Sequence, residues 1–327
     1  MAVLIVDPWV LTFSGKDDPD EYVQCLTDLY DASREGALSV QITAQAVELL
    51  EADGTYPLSR DLPGSLWPMR SDVYRIVANL LDRLPKIEDQ EISAVLADSC
   101  DIELPGIRTS SLLHVEYLME LLPLAVVRSV YYGVQAPLLS RVVVSSSDIS
   151  VESNVMVIDS VDCYPQPDCG LQKADIPVKL SMNDFYEGLT PTCLAMQGFV
   201  GEAIALSVWK QRKGPPGFAL TCAGWSLSDA FLESVGRCNL GSNMGRMESM
   251  IRTSSSMIVG KNMRITHALR SGPGAGCKQI SRKSDGATAW RADIDDELHL
   301  HYWKIGDALE LANVVFHNDF HIDGANR

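Results

Sequence analysis

Two turns near the C-terminal end constrain this chain most. Asp285-Gly286 separates the strand-like runs 278–283 and 288–294, and Ile305-Gly306-Asp307 separates 298–304 from 308–316. Glycine takes positive φ without steric cost, so Asp-Gly and Gly-Asp pairs favour tight hairpins. Two successive hairpins predict an antiparallel meander. Upstream, Ser226 or Ser228 can cap a helix over 229–235, and 244–258 has helical periodicity ending near Gly260. With a strand over 217–223, the order is strand, two helices and three or four antiparallel strands, an α+β module over 216–327. The glycines of Ser271-Gly-Pro-Gly-Ala-Gly276 lack a following Gly-Lys-Ser/Thr and read as a loop between strands, not a phosphate cradle.

The N-terminal texture differs. A buried strand over 3–6 ends at Asp7, and a helix beginning at Pro19 or Asp20 presents Tyr22, Cys25, Leu26, Leu29 and Tyr30 on one face before Gly36. Strand 39–43, helix 44–52, helix 70–84 closed by Pro85 and helix 111–122 closed by Pro123 follow, then valine-rich strands over 141–145 and 154–158. Alternating strand and helix predicts an α/β domain with helices on its sheet. The expected organisation is an acidic α/β domain over 1–180, a connecting segment over 181–215, and the module over 216–327, with the basic, turn-rich loop 210–216 marking the boundary before the module. Residues 130–210 carry no sharper signal than completing the first sheet or bridging the two parts.

The chain has 327 residues, 46% hydrophobic, which suffices for about two domains and excludes a disordered chain. Its net charge of −16 argues at first sight against a nucleic-acid partner. Residues 1–180 hold 12 basic and 28 acidic side chains, however, and so carry all of it. Residues 251–292 hold eight basic groups and one acid, Asp285, a local surplus of seven positive charges suited to phosphate, or simply a solvated basic face. The acidic domain could dock a protein partner or mask that surface. Eight scattered cysteines, none in a zinc-knuckle spacing, suggest free thiols in a reducing compartment. No apolar run is long enough to span a membrane, and nothing in the first residues reads as a signal peptide. A cytoplasmic protein is expected.

The C-terminal pattern Thr266-His-Ala-Leu-Arg270, Ala289-Trp-Arg-Ala-Asp-Ile294, Leu298-His-Leu-His-Tyr-Trp303 and 309–320 resembles the RelE/HigB/ParE toxin superfamily over about 216–322. The resemblance implies a nucleic-acid-acting toxin or phage-defence component. Its Leu-His-Leu-His-Tyr-Trp run is not a standard motif of that superfamily. Five of the six histidines lie between 267 and 321, and imidazole titrates near neutral pH, so metal-free RNA cleavage by arginine and histidine is chemically reasonable. The expected catalytic groups are Arg291 with His301 or His317 for proton transfer. Arg264, Arg270, Lys278, Arg282 and Arg291 are expected on phosphate, and Tyr302 or Trp303 stacked on a base. No cofactor is needed for that chemistry.

Three alternatives stand beside it. Each histidine can be a polar strand residue satisfied by a neighbour. His299, His301, His317 and His321 could instead converge on Zn²⁺ or Fe²⁺. The chain could also be a non-catalytic nucleic-acid-binding and partner-docking subunit. Separately, Leu4-Ile-Val-Asp7-Pro-Trp-Val10-Leu11 with Glu48 resembles the opening of PIN-type nucleases over about 3–53. That resemblance implies Mg²⁺ or Mn²⁺ held by Asp7, Glu48 and a further carboxylate such as Asp98 or Asp101, acting on RNA or DNA. The plainer expectation is that Asp7 caps the turn before Pro8 and that Glu48 faces solvent.

Overall fold

The computed structural model describes residues 2–13, 17–34, 38–56, 64–88, 95–102, 112–131, 136–140, 148–157, 170–212, 224–261, 266–272 and 276–325. Residues 95–102, 112, 131, 154–157 and 170 are described by backbone alone. The chain has mixed α/β content and divides into two compact units, Met1–Gly188 and Leu189–Arg327.

In the first unit, β1 (Ala2–Val6) is followed by α1 (Pro19–Ala32), β2 (Leu38–Ile42), α2 (Ala46–Ala52), α3 (Arg70–Arg83), β3 (Val95–Ile102), α4 (Leu112–Tyr131), β4 (Leu138–Leu139), β5 (Asp148–Val157), β6 (Gly170–Lys179) and α5 (Met182–Gly188). The sheet order is β2-β1-β4-β6-β5-β3. The pairs β1–β2, β1–β4 and β4–β6 are parallel, while β5 pairs antiparallel with β6 and β3. Val3 to Val6 are buried, as the continuous apolar run requires. Helix α1 begins at Pro19, one of the two expected starts, and Asp18 caps it, its carboxylate accepting from the amides of Asp20 and Glu21. The buried face of α1 is Tyr22, Leu26, Leu29 and Ala32, and that of α3 is Val73, Val77, Leu80 and Leu81. Each such leucine or valine contributes about 1.5–3 kcal/mol by leaving water.

Helix α4 does not stop at Leu122 but runs through Pro123 to Tyr131. Proline removes one backbone donor, yet Leu121, Leu122, Ala125, Val126 and Val127 are all buried, and that burial outweighs the lost bond. Strand β5 begins six residues before the expected 154, and β6 was not foreseen. The expected strand at 141–145 lies outside the described residues.

The second unit carries α6 (Pro191–Met196), α7 (Val200–Gln211), β7 (Trp225–Leu227), α8 (Asp229–Arg237), α9 (Met244–Ile258), β8 (Thr266–Ala268), β9 (Thr288–Asp293), β10 (Leu298–Ile305) and β11 (Ala308–Phe316). Part of the expected 181–215 connector is therefore helix within this unit: α7 buries Ala203 to Leu206, Val208 and Trp209 and packs on α9. The expected strand over 217–223 lies outside the described residues.

The sheet order is β7-β11-β10-β9-β8, antiparallel except for β7–β11. Gly306, with φ of 59°, occupies the first turn position between Ile305 and Ala308, as a two-residue II′ hairpin demands. At the other turn Arg282 and Ala287 close around Gly286, φ 74°, but 278–283 contributes only isolated bridges and not a full strand. Ser228 caps α8, and Gly260 (φ 73°) ends α9, the Lys261 amide donating to the Ser256 carbonyl. Where β7 stops, α8 takes over the β11 edge. Val314 N donates to Ser234 Oγ at 2.8 Å, and Ser228 Oγ donates to the Ala312 carbonyl at 2.8 Å. The exposed edge that an unpaired strand would present is thereby covered.

Candidate functional site

Alternation along β10 sends Leu298, Leu300 and Tyr302 to one side of the sheet and His299, His301 and Trp303 to the other. On that second side the register aligns His267, Arg291, His301 and Asn313 across four strands, with Asp293 beside His299 in the next row. A bulge at His301/Tyr302 admits the extra residue Ala312 and separates this row from Trp303. One end of the face is apolar, with Trp303 packed among Leu269, Ala287, Ala289, Ala312 and Ile322. The other end is polar.

The C-terminal segment is fastened across this face by buried polar side chains. His301 Nδ1 donates to the His321 carbonyl at 2.8 Å, and Asn313 Nδ2 donates to the same oxygen at 3.1 Å. Asp323 N donates to Asn313 Oδ1 at 3.3 Å, and Trp303 Nε1 donates to the Asp323 carbonyl at 2.7 Å. A carbonyl accepts only, so His301 carries its proton on Nδ1 and leaves Nε2 as a lone pair. His301 is 0% exposed, and burial pushes its pKa down to about 4.

This geometry corrects several expectations. His301 is a buried clamp and does not reach a bound polymer. Trp303 is fully buried and Tyr302 nearly so, so neither ring offers a face for base stacking; burial also pushes the Tyr302 hydroxyl up to about 12. Arg282, 6% exposed, is chelated by two carboxylates: Nη1 and Nη2 donate to Glu310 at 2.9 Å each, and Nη2 donates to Asp285 at 2.7 Å. Its guanidinium lies 5.0 Å over the Trp303 ring. The hydrogen bonds it donates to Asp285 and Glu310 hold its pKa above the usual arginine value, and the contact with Arg282 holds Asp285 below the usual carboxylate range. Arg282 is thus a structural ion pair, not a phosphate ligand.

Other expected residues stay at the surface. Arg270, Lys278 and His317 are exposed, as are Lys283 and His267. Arg291 is half-buried and makes no hydrogen bond or ion pair among the described residues. Arg264 lies outside the described residues. His299 is 1% exposed. Its Nε2 lies 3.1 Å from Asp293 Oδ1, and its ring is 4.6 Å from that of His317. Burial, the leading cause, pushes its pKa below the usual histidine value despite Asp293.

In the first unit, Asp7 sits where the parallel strand order reverses, since β2 lies on one side of β1 and β4 on the other. Ligands of α/β sheets gather at such points. Here the carboxylate is fully buried and already engaged. Oδ1 accepts from Trp9 N at 3.1 Å, capping the turn at Pro8–Leu11, while Oδ2 meets His114 Nε2 at 2.6 Å and accepts from Ser140 Oγ. The His114 and Trp9 rings stack at 4.2 Å. The Tyr117 hydroxyl is buried without a partner, and burial with the nearby Asp7 charge pushes its pKa well up. His114 stands 107 residues from Asp7, so only the tertiary fold reveals this node.

The expected metal ligands are not brought together. Glu48 is on the exposed side of α2, as the plainer expectation had it. Asp98 lies at a bulge in β3, and Asp101 farther along the same strand, four strand positions from β1, about 19 Å at usual strand spacing. Among the described residues, no three His, Cys, Asp or Glu side chains are placed to hold a metal ion. No helix among them is long and apolar enough to cross a membrane. Compared with family models, with curated proteins and with solved structures, the chain matches none.

Proposed function

We propose that the second unit binds the phosphate backbone of RNA or DNA as a non-catalytic module, with Arg291 as its central contact. One observation carries the reading. Arg291 is a half-buried guanidinium with no carboxylate of its own, while Arg282 on the same meander has two. An unneutralised, partly desolvated arginine offers paired donors to an oxyanion. Exposed Arg270, Lys278 and Lys283 extend the positive surface, and His267 stands opposite Arg291 in register. Direct catalysis is disfavoured because His301 is buried and Tyr302 and Trp303 are unavailable for stacking. A ribonuclease reading would rest on Arg291 with the exposed His317. The toxin or phage-defence role implied by the resemblance would then be exerted through binding, with the acidic first unit free to dock a protein partner.

Fluorescent single-stranded RNA and DNA titrated with the full chain test this, in EDTA and across salt. The expected result is binding that weakens linearly with the logarithm of salt, as counterion release requires, with no shortening of either polymer. Metal-independent cleavage lost in His317→Ala would overturn the non-catalytic assignment. Absence of salt-sensitive binding would overturn the function.

A further inference from the structure

His299 and His301 show a pattern that nucleic-acid binding does not use. His301 Nδ1 donates to the His321 carbonyl at 2.8 Å, which fixes its proton there and leaves Nε2 as a lone pair. His299 Nε2 lies 3.1 Å from Asp293 Oδ1, an ion-pair contact that favours the proton on Nε2. The ring atoms facing away from these contacts are His299 Nδ1 and His301 Nε2. Both are buried and neither has a hydrogen-bond partner. A buried polar nitrogen left unpaired is destabilising. Two of them, two residues apart on one face of one strand, call for a common explanation.

Imidazoles that bind metal almost always donate their other N–H to a carboxylate or a backbone carbonyl, which fixes the tautomer and aims the lone pair. His301 has that hydrogen bond, and His299 has a carboxylate at ion-pair distance. We infer that His299 Nδ1 and His301 Nε2 are the buried half of a site for a zinc-class transition ion, completed by a donor from 317–319. Two imidazoles on one tetrahedral ion hold their ring centroids about 5 Å apart. The observed separation is 6.4 Å with the rings inclined at 32°, so closure needs a ring movement of about 1 Å. The exposed His317, its ring 4.6 Å from His299, and Asp319, whose charge acts on His301, border the pair. Three donors do not converge as the side chains now stand, so one of these two must swing inward. Arg291, opposite His301 in register, disfavours a bare dication and favours an ion carrying an anion. The inference does not depend on nucleic-acid binding and is tested without it.

The full chain, stripped with EDTA, is melted with and without ZnCl₂ in chloride buffer, and titrated with Co²⁺ while visible absorption is recorded. The expected results are one ion per chain, a Tm rise of about 5 °C at saturating zinc, and the visible bands of tetrahedral cobalt. His299→Gln should abolish binding. If that variant does not fold, His317→Ala and Asp319→Asn, both at exposed positions, decide: one of them should weaken zinc affinity about tenfold. No Tm rise and no cobalt bands in the wild type would overturn the site. So would a thiolate-to-cobalt charge-transfer band, or undiminished affinity in both exposed variants, either of which places the ion elsewhere.

Discussion

The two ends of one sheet face in the second unit treat arginine in opposite ways. At the apolar end Arg282 is folded under Gly324, laid over Trp303 and held by Asp285 and Glu310. At the polar end Arg291 has no carboxylate partner among the described residues and lies between His267 and His301 in register. Both residues belong to the same basic stretch and look alike when charges are counted along the chain. Their difference lies in Glu310, which arrives from β11 and is 28 residues away from Arg282 in sequence. A surplus of positive charge in sequence therefore overstates the positive surface, because the fold neutralises one of these arginines and not the other.

The largest effect that can break this comparison comes from the anchored end. Arg282→Ala strands Asp285 and Glu310 beside a buried ring, and a chemical-denaturation midpoint should show a loss of about 2–4 kcal/mol. The value is set below the fully buried range because both carboxylates are partly exposed. A loss under about 0.5 kcal/mol would reduce the pair to an ordinary surface contact.

Acid should weaken the polar end next. The folded pKa of His301 is about 4 against an ordinary 6.5, so the unfolded chain binds the extra proton first. Its contribution to stability is complete above pH 6.5 and is lost as pH falls towards 4, by up to about 3 kcal/mol. Denaturation of wild type and His301→Asn across that range checks the sign. The variant should lose less stability on acidification, and equal slopes would remove His301 as the cause.

In the first unit, Asp7→Asn puts an amide donor against His114 and Ser140, and the cost should be about 1–3 kcal/mol. A thermal melt measures it. Because both carboxylate oxygens are already occupied, EDTA should leave the wild-type melt of this unit unchanged.

The smallest stability effect belongs to Arg291→Gln, within about 0.5 kcal/mol, since no ion pair is broken. Its effect should appear instead as about a tenfold loss of RNA affinity at moderate salt and a shallower salt slope.

Local chemistry made much of the fold legible. The glycine at 306 fixed one hairpin, Gly260 fixed the end of α9, and Ser228 the start of α8, because each acts on its own neighbours. Helix α4 runs past Pro123, beyond what its local sequence indicates, because the apolar contacts that carry it onward are tertiary. The run 278–283 has strand composition but receives only bridges, since its residues go to closing the turn around Arg282. The site was legible as far as alternation reaches: His299, His301 and Trp303 share a face, as the strand period requires. What alternation does not reveal is what covers that face. Residues 320–323 fold over it, and their carbonyls turn His301 and Trp303 from candidate catalytic and stacking groups into anchors. The node of Asp7, His114 and Ser140 was illegible for the same reason, its members being spread over more than a hundred residues.

The central claim, that Arg282 holds the fold and Arg291 holds the ligand, is tested most directly by a paired measurement. Arg282→Gln and Arg291→Gln are each assayed for denaturation midpoint and for salt-dependent binding of one fluorescent single-stranded RNA. Arg282→Gln should lower the midpoint while its folded fraction binds RNA as the wild type does. Arg291→Gln should keep the midpoint and lose about tenfold in affinity. An Arg291→Gln protein that binds RNA with unchanged affinity and salt slope would contradict the claim.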